Sequence, residues 1–328
     1  MYRALVLNKT DEIFSVELSD LDNDTLPEGD VTVEIEYSTL NYKDGLAITD
    51  SSPVVRVWPM VPGVDLAGTV SSSENEAYAV GDRVTVNGWD LGEKRWGGLA
   101  TRTRVPASTL TKLPDSISTR DAMAIGTAGY TSMLCVLALE DHGVTPESGP
   151  IAVTGASGGV GSVAISLLNG LGYEVHAVTG RVEEQGDYLR LLGASQLVER
   201  SSLSEPARPV ARATWGGAID AAGGNILANL LSQTKPYGCI AACGLAASMD
   251  LPGSVAPFIL RGITLQGIDS VHMPSAQRDQ AWNRLAADLD RDALSTMITE
   301  IGLDDVVAMA AKFMDGTAQG RIVVDVNN

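Results

Sequence analysis

The chain has 328 residues, of which 45% are hydrophobic, and its formal net charge at pH 7 is −18. This length suits about two domains, and so negative a charge argues against binding to nucleic acid, whose phosphates need cationic partners. No apolar run approaches the roughly 18 residues of a membrane-spanning helix, and no signal-peptide pattern follows Met1. Three cysteines lie inside apolar segments, which is typical of reduced thiols: Cys135, Cys239 and Cys243. We therefore expect a cytoplasmic globular protein without a membrane or nucleic-acid partner.

The first 120 residues are predicted to form short strands separated by turns. Turn signals such as Pro27–Asp30 and Val80–Asp82 punctuate this region. Their spacing predicts a β-barrel or sandwich with strands at Ala4–Leu7, Val31–Tyr37, Gly68–Ser72, Arg83–Val86 and Ala100–Val105.

Strands alternate with helical segments from about residue 121 to residue 265, which predicts a doubly wound parallel sheet. The strands are expected at Ile151–Thr154, Glu174–Val178, Gln196–Val198, Ala218–Asp220, Gly238–Cys243 and Thr264–Gly267. Residues 277–315 are predicted to be mainly helical, and Arg321–Val326 to form a last strand. The fold class is therefore α/β: a barrel domain in two parts, residues 1–122 and 267–328, with a Rossmann-type domain, residues 123–266, inserted between them.

The segment from Pro150 to Arg181 has the order strand, glycine-rich turn, helix, strand. After the strand Ile151–Thr154, four glycines permit a tight turn and a close approach to a pyrophosphate: Gly155, Gly158, Gly159 and Gly161. A helix that opens at about Gly159 would direct its free N–H groups and positive dipole end at those phosphates. The segment therefore predicts a dinucleotide-binding turn.

The end of the next strand, Tyr173–Val178, indicates which dinucleotide is bound. Dinucleotide folds usually place Asp or Glu here, against the ribose 2′-hydroxyl. This chain has Thr179, Gly180 and Arg181 instead. A hydroxyl, a bare backbone and a guanidinium suit a 2′-phosphate, which a carboxylate would repel, so we expect NADPH rather than NADH.

Segments along nearly the full length resemble the medium-chain dehydrogenases/reductases, and within them the bacterial acrylyl-CoA reductase (NADPH) family, also named quinone oxidoreductases. They are STLNYKD at 38–44, PMVPGVDLAGTV at 59–70, NGWDLGEKRWGGLA at 87–100, IGTAGYTSMLCVLALED at 125–141, TGASGGVG at 154–161, TGR at 179–181, AACGLA at 241–246, PFILRGITLQGIDSV at 257–271 and QGR at 319–321. The resemblance implies that the barrel domain is GroES-like and catalytic. It also implies a homodimer.

Cofactor contacts follow from the same resemblance. It places the pyrophosphate at Ser157, Gly158, Gly159 and Val160, and the 2′-phosphate at Thr179, Gly180 and Arg181. It places the nicotinamide side near Tyr42, Cys243, Gly244, Leu245, Ile268, Asp269 and Ser270, with Arg321 facing the cleft.

The zinc alcohol dehydrogenases of this superfamily use an early cysteine, a Gly-His-Glu segment and a further cysteine as catalytic ligands. Here Asn41–Asp44 stands at the first place and Gly63–Asp65 at the second, and no cysteine precedes Cys135. No run of closely spaced cysteines offers a structural zinc site. We therefore expect no metal.

Without zinc, the expected chemistry is hydride addition to an activated alkene, with the negative charge held on a carbonyl oxygen. Tyr42 is a candidate hydrogen-bond donor or proton source, Asn41 an orienting amide and Asp44 a proton relay through water, although Tyr42 also suits barrel packing and Asp44 a turn. Trp89, Trp96 and Arg95 are candidate substrate residues, while tryptophans that only pack the barrel fit equally well. The candidate cations for CoA phosphates are Arg56, Arg95, Arg261 and Arg278.

Three functions remain open from the sequence. The first is NADPH-dependent reduction of a short enoyl-CoA thioester, acrylyl-CoA to propanoyl-CoA, with the acyl-CoA as the small-molecule partner. The second is an NADPH-dependent quinone or enone reductase on the same fold, and the third is an NADPH-binding protein without turnover.

Overall fold

The computed structural model of the chain describes residues 1–10, 13–314 and 319–328. Its strands are β1 (Tyr2–Thr10), β2 (Ile13–Leu21), β3 (Val31–Leu40), β4 (Asp65–Ser73), β5 (Arg83–Asn87), β6 (Arg102–Val105), β7 (Thr111–Lys112), β8 (Ile151–Thr154), β9 (Val175–Thr179), β10 (Gln196–Glu199), β11 (Trp215–Asp220), β12 (Thr234–Ala242), β13 (Thr264–Gly267), β14 (Ile298–Gly302) and β15 (Arg321–Asp325). Its α-helices are α1 (Tyr42–Ile48), α2 (Thr119–Asp141), α3 (Gly159–Gly170), α4 (Val182–Leu191), α5 (Gly224–Gln233), α6 (Ala256–Arg261), α7 (Ser275–Asp288), α8 (Arg291–Thr296) and α9 (Val306–Met314).

The described residues form two units, each with its own core. The first unit comprises Met1–Thr127, Val271–Ala286 and Met297–Asn328, and the second comprises Ala128–Ser270 and Ala287–Thr296. The predicted boundaries between the two domains lie near residues 122 and 266. The prediction also assigned residues 287–296 to the barrel domain, whereas α8 in that segment packs against α3 of the second unit.

The first unit is built around a sheet with the strand order β14-β15-β3-β4-β5-β7, and β6 pairs with β3. β1 and β2 form a hairpin, and β1 also bonds through its backbone to Met60 and Leu99. Along β3 the side chains of Val31, Val33 and Ile35 are at most 1% exposed, which is the period-2 burial of a strand with one face on the core. This sheet carries α1 directly after β3.

The second unit is a parallel sheet with the order β10-β9-β8-β11-β12-β13. When the strands are renumbered in chain order from β8 as strand 1 to β13 as strand 6, this order is 3-2-1-4-5-6. That is the order of the doubly wound dinucleotide fold, whose topology reverses between β8 and β11. Every residue of β8 is buried, as expected for a parallel strand with both faces covered. The prediction of a Rossmann sheet is confirmed, and its strands at Ile151–Thr154 and Thr264–Gly267 have the predicted bounds.

Three strands were missed by the sequence. The prediction that residues 277–315 are mainly helical is confirmed by α7, α8 and α9, with residue 315 outside the described residues. It missed β14, which pairs in parallel with β15, a tertiary contact that local patterns do not encode. β2 pairs with β1, and Phe14, Val16 and Leu18 alternate along it with polar residues and pack against the core. The period-2 signal of a strand was therefore present in β2 and was overlooked. β7 has two residues, too few for any periodicity.

α2 is interrupted at Gly126, whose φ of 52° and ψ of −166° are not helical. By length and composition alone α2 could cross a membrane, which the sequence did not lead us to expect. However, 89% of its most apolar window is buried inside the protein, as in the core helix of a globular fold.

Candidate active site

The glycine-rich turn after β8 has the backbone geometry that a dinucleotide requires. Gly155 has a φ of +58°, and a Cβ on Gly161 would lie 2.4 Å from the Gly155 carbonyl oxygen. α3 begins at Gly159, after Gly158 in an extended conformation, so its first N–H groups lie at the end of the turn. Only glycine permits these contacts, and the cradle fits a pyrophosphate held by backbone N–H groups.

Two guanidinium groups meet at the carboxyl end of β9. Arg181 donates from Nη2 to Ser157 Oγ at 2.9 Å, and its backbone N–H donates to Thr179 Oγ1 at 3.1 Å. A Cβ built on Gly180 would lie 2.8 Å from Nη2 of Arg200, which directly follows β10. The predicted residues Ser157, Thr179, Gly180 and Arg181 are therefore brought together, and Arg200 joins them.

Arg200 was not among the residues predicted for the cofactor, because it lies outside both the glycine-rich turn and the Thr179–Arg181 segment. The sequence did contain a signal for Arg200. In this sheet β10 pairs in parallel with β9, so a basic residue directly after β10 lies beside the end of β9, where Arg181 is found. With two cations and no carboxylate side chain in the Thr179–Arg181 turn, the site fits a 2′-phosphate.

The other predicted cofactor residues follow β12 and β13 at the same edge of the sheet. Cys243 donates its N–H to the Asp220 carbonyl at 2.8 Å, and Gly244 packs so closely on Ala221 that a Cβ would lie 2.5 Å from its oxygen. Leu245 is 59% exposed. Ile268 donates its N–H to the Ala242 carbonyl at 2.9 Å, which places Asp269 and Ser270 beyond the end of β13.

In the first unit, α1 presents the predicted catalytic residues. Asn41 precedes the helix, and Tyr42 is its first residue, with 54% of the side chain exposed. Asp44 is 1% exposed, and its carboxylate accepts the Asn41 N–H at 2.8 Å and the Val64 N–H at 2.9 Å. Burial raises the pKa of Asp44 to about 7, against the two hydrogen bonds, and the nearby Asp65 carboxylate adds to the rise.

Asp65 is the centre of a buried network that the sequence did not predict. Its carboxylate accepts Asn41 Nδ2 at 2.7 Å, Asn87 Nδ2 at 2.7 Å, the Thr127 N–H at 2.9 Å and Thr127 Oγ1 at 2.5 Å. The side chain is fully buried. The sequence singled out Asp65 only because it stands in the place of a zinc-ligand segment. Its partners are distant in the chain: Asn41 lies between β3 and α1, Asn87 at the end of β5, and Thr127 directly after the break in α2.

Arg321 also belongs to this network rather than to an open cleft. Its side chain is 3% exposed, and the guanidinium donates to the Ala124 carbonyl, Thr39 Oγ1 and Asn41 Oδ1 at 2.9, 2.9 and 3.3 Å. The Asn41 amide is thus held at its nitrogen by Asp65 and at its oxygen by Arg321. The expectation that Arg321 faces the cofactor is corrected on this geometry, because its donors are directed at protein acceptors.

The predicted substrate residues have different surroundings. Trp89 has a φ of +52°, and its ring lies 4.5 Å from the Arg278 guanidinium carbon, a cation–π contact. Arg278 is 2% exposed and donates to carbonyls of Asn87, Val271 and Met273. Arg261 likewise donates to the carbonyls of Ser232, Thr234 and Ala211. Neither arginine is available for a CoA phosphate.

Arg95 and Trp96 line a half-open cavity of about 500 Å³ in the first unit. The indole of Trp96 donates to the Pro59 carbonyl at 2.9 Å. Arg56 is exposed near the rim, next to the cavity-lining Val57.

Metal donors are scattered. Among residues 1–10, 13–314 and 319–328, no three His, Cys, Asp or Glu side chains group closely enough to hold a metal ion.

Comparison with known proteins agrees with the fold and the site. Residues 27–115 match the alcohol dehydrogenase GroES-like domain, and residues 159–287 match the domain described as zinc-binding dehydrogenase. The acrylyl-CoA reductase AcuI of Ruegeria pomeroyi is 50% identical over all of both chains. The chain belongs to the acrylyl-CoA reductase family of the medium-chain dehydrogenases/reductases.

Solved structures of this family have the same fold. The yhdH oxidoreductase of Salmonella enterica, in complex with NADP, is 48% identical, with 99% of each chain covered and a TM-score of 0.97. The yhfP protein of Bacillus subtilis, with NAD bound, is 39% identical, with 99% of each chain covered and a TM-score of 0.95. The predicted family, the GroES-like domain and the Rossmann sheet are confirmed.

Proposed function

We propose that this protein reduces the carbon–carbon double bond of acrylyl-CoA with NADPH and yields propanoyl-CoA. The observation that carries the proposal is the 50% identity to an acrylyl-CoA reductase over the full length of both chains. The glycine-rich turn and cations of the second unit, and the residues at the start of α1 in the first unit, support it.

The second unit supplies the cofactor site. The turn Gly155–Gly161 would hold the pyrophosphate through backbone N–H groups, and Ser157, Thr179, Arg181 and Arg200 would hold the 2′-phosphate. When bound, NADPH supplies the hydride. The remaining proposed contacts are Gly158, Gly159, Val160, Gly180, Cys243, Gly244, Leu245, Ile268, Asp269 and Ser270.

Tyr42 is the proposed donor to the thioester oxygen. Hydride arrives at the β-carbon, the charge passes to the carbonyl oxygen as an enolate, and a proton then reaches the α-carbon. The exposed side chain of Tyr42 can meet a ligand, whereas Asp44 holds two backbone N–H groups in a buried site. We therefore assign Asp44, Asn41 and Arg321 as positioning residues that fix the start of α1, and Trp89 as a wall of the acyl pocket.

The reaction is proposed to need no zinc. In the described residues Asn41 and Asp65 lie where zinc-dependent relatives have ligands, and both are engaged in the hydrogen-bond network. An enolate oxygen held by hydrogen bonds replaces the Lewis acid in this proposal.

We also propose a cytoplasmic homodimer that pairs through β13. Cys135, Cys239 and Cys243 are free thiols, as suits a reducing compartment. β13 is an edge strand, and the neighbouring Ile259 and Leu260 of α6 are 75% and 71% exposed. Ile259→Asp is expected to give a monomer in light scattering, while Leu191→Asp, an exposed leucine on α4, leaves the dimer intact. A monomeric wild type would contradict this assembly.

One experiment tests the function: NADPH oxidation measured side by side with acrylyl-CoA, crotonyl-CoA and a simple quinone, before and after dialysis against a strong chelator. We expect acrylyl-CoA to have the highest kcat/KM and the chelator to have no effect. A higher kcat/KM for the quinone would support the quinone reductase instead, turnover of none of the three would support the non-catalytic protein, and activity lost with stoichiometric zinc would overturn the metal-free mechanism.

A further inference from the structure

The cavity beside Arg95 and Trp96 concentrates positive charge in an acidic protein. Three basic side chains line it, Lys94, Arg95 and Arg104, against the one carboxylate of Glu28. The whole chain has 41 acidic and 23 basic residues. Cations gathered without matching carboxylates repel one another unless an anion binds among them, so this charge distribution favours an anionic ligand.

These cations keep their donors largely available. Lys94 approaches Asp90 at 3.4 Å, and Arg104 donates to Thr32 Oγ1 at 3.5 Å, a long contact. In the part of the chain that the structure describes, Arg95 forms no ion pair and no side-chain hydrogen bond. Elsewhere in the first unit Arg3 pairs with Asp304 at 2.6 Å and Arg120 with Glu300 at 2.6 Å, so an arginine there that meets a carboxylate does form an ion pair.

An aromatic wall completes the cavity. The indole of Trp96 is half-buried, and its Nε1 bond to the Pro59 carbonyl fixes the ring. Val57, 51% exposed, adds an apolar surface. Cations beside a fixed aromatic ring are the combination that binds a nucleotide, because the ring stacks on the base while the cations hold the phosphates.

Two contacts join the cavity to the start of α1. Lys43, next to Tyr42, forms an ion pair with Glu93 at 2.6 Å, and Glu93 is next to Lys94. Two residues past Trp96, Gly98 packs so closely on β4 that a Cβ would lie 2.0 Å from the Asp65 carbonyl oxygen. The segment that lines the cavity therefore leads directly to the Asn41–Asp65 network, within the same unit.

We propose that this cavity binds the adenosine 3′,5′-bisphosphate end of the acyl-CoA substrate. The inference rests on the proposed function. It selects Arg95 from the four candidate cations for the CoA phosphates and moves Trp96 from the acyl pocket to the nucleotide end. A coenzyme A thioester carries its phosphates at the far end of an extended arm, so cations for them belong at a distance from Tyr42.

The test compares acrylyl-CoA with a truncated substrate, the acryloyl thioester of N-acetylcysteamine, which lacks all phosphates. For Arg95→Gln and for Arg104→Gln, the kcat/KM ratio of acrylyl-CoA to the truncated thioester is expected to fall by about 5- to 30-fold, mostly through KM for acrylyl-CoA. Trp96→Leu is expected to lower the same ratio. The control Arg3→Gln removes an equal charge elsewhere in the first unit and should leave the ratio unchanged.

Adenosine 3′,5′-bisphosphate gives a readout that does not depend on turnover. Calorimetry should show its binding to the wild-type protein and about 5- to 30-fold weaker binding to Arg95→Gln. An unchanged ratio in both arginine variants, or equal losses with both thioesters, would overturn the subsite. If the wild type reduces neither thioester, the proposed function fails, and the calorimetry then decides the subsite alone: binding lost in Arg95→Gln upholds it, and binding retained or absent overturns it.

Discussion

The two units hold their candidate functional residues in different ways. In the first unit, side chains hold each other: hydrogen bonds link the buried Asp65 and Arg321 through the half-buried Asn41. In the second unit, glycine backbone shapes the cradle, and partly exposed cations, Arg181 and Arg200, complete it. The difference teaches where each kind of substitution acts: changes in the buried network should lower stability, whereas changes at the cationic rim should lower ligand affinity.

The largest effect is expected at the centre of the network. Asp65→Ala removes four hydrogen bonds at a fully buried position, among them the one from the buried Asn87 amide, so the free energy of unfolding should fall by about 4 kcal/mol in urea denaturation. As the control, Asp115→Ala removes a fully exposed carboxylate and should change stability by less than about 0.5 kcal/mol. Equal stability of the two variants would contradict a structural network.

Tyr42, the exposed residue directly after Asn41, should affect catalysis rather than stability. Tyr42→Phe removes a hydroxyl that acts chiefly in the transition state, so kcat should fall by about 10- to 1000-fold while the unfolding curve and the NADPH affinity barely change. Stopped-flow and fluorescence titration would measure both quantities. A near-normal kcat would transfer the donor role to the nicotinamide ribose hydroxyl, because the N–H groups of Asn41 already bond Asp65 and Asp44.

At the rim of the second unit, affinity rather than stability should respond. Arg181→Ala loses a charged hydrogen bond, so NADPH binding should weaken by about 1.5–3 kcal/mol, with NADH binding nearly unchanged. Arg190→Ala, an exposed arginine on the next helix, is the matched control. If the wild type used NADH and NADPH equally well, the Thr179–Arg181 turn would not select the 2′-phosphate. The comparison matters because the Bacillus subtilis relative has NAD bound.

The smallest effect concerns pH. Because burial raises the pKa of Asp44 to about 7 from an unfolded value near 3.9, the stability that its protonated form contributes is complete below about pH 4 and is lost as pH rises through 7. The stability of the wild type relative to Asp44→Asn should therefore decrease by about 1–2 kcal/mol between pH 6 and pH 8 in parallel melts. A pH-independent difference would mean that the carboxylate stays ionised throughout.

The sequence predicted the second unit better than the first, for physical reasons. A dinucleotide turn is local: Gly155, Gly161 and Arg181 are close in sequence, and parallel strands with both faces buried give continuous apolar runs. The Asp65 network is non-local: Thr127 and Arg321 are far from Asp65 in the sequence, and no spacing rule connects them. Arg200 was missed for a related reason, because its neighbour Gly180 is adjacent only through strand pairing.

We expect a single substitution at Gly180 to change the cofactor preference of this protein from NADPH to NADH. The backbone of Gly180 does not have a positive φ, and the three atoms nearest to the place of a Cβ all belong to the guanidinium end of Arg200. An aspartate there would pair with that guanidinium and present a carboxylate where the 2′-phosphate binds. We expect Gly180→Asp alone to invert the ratio of kcat/KM between NADPH and NADH, so that one codon separates an enzyme drawing on the biosynthetic nucleotide pool from one drawing on the catabolic pool.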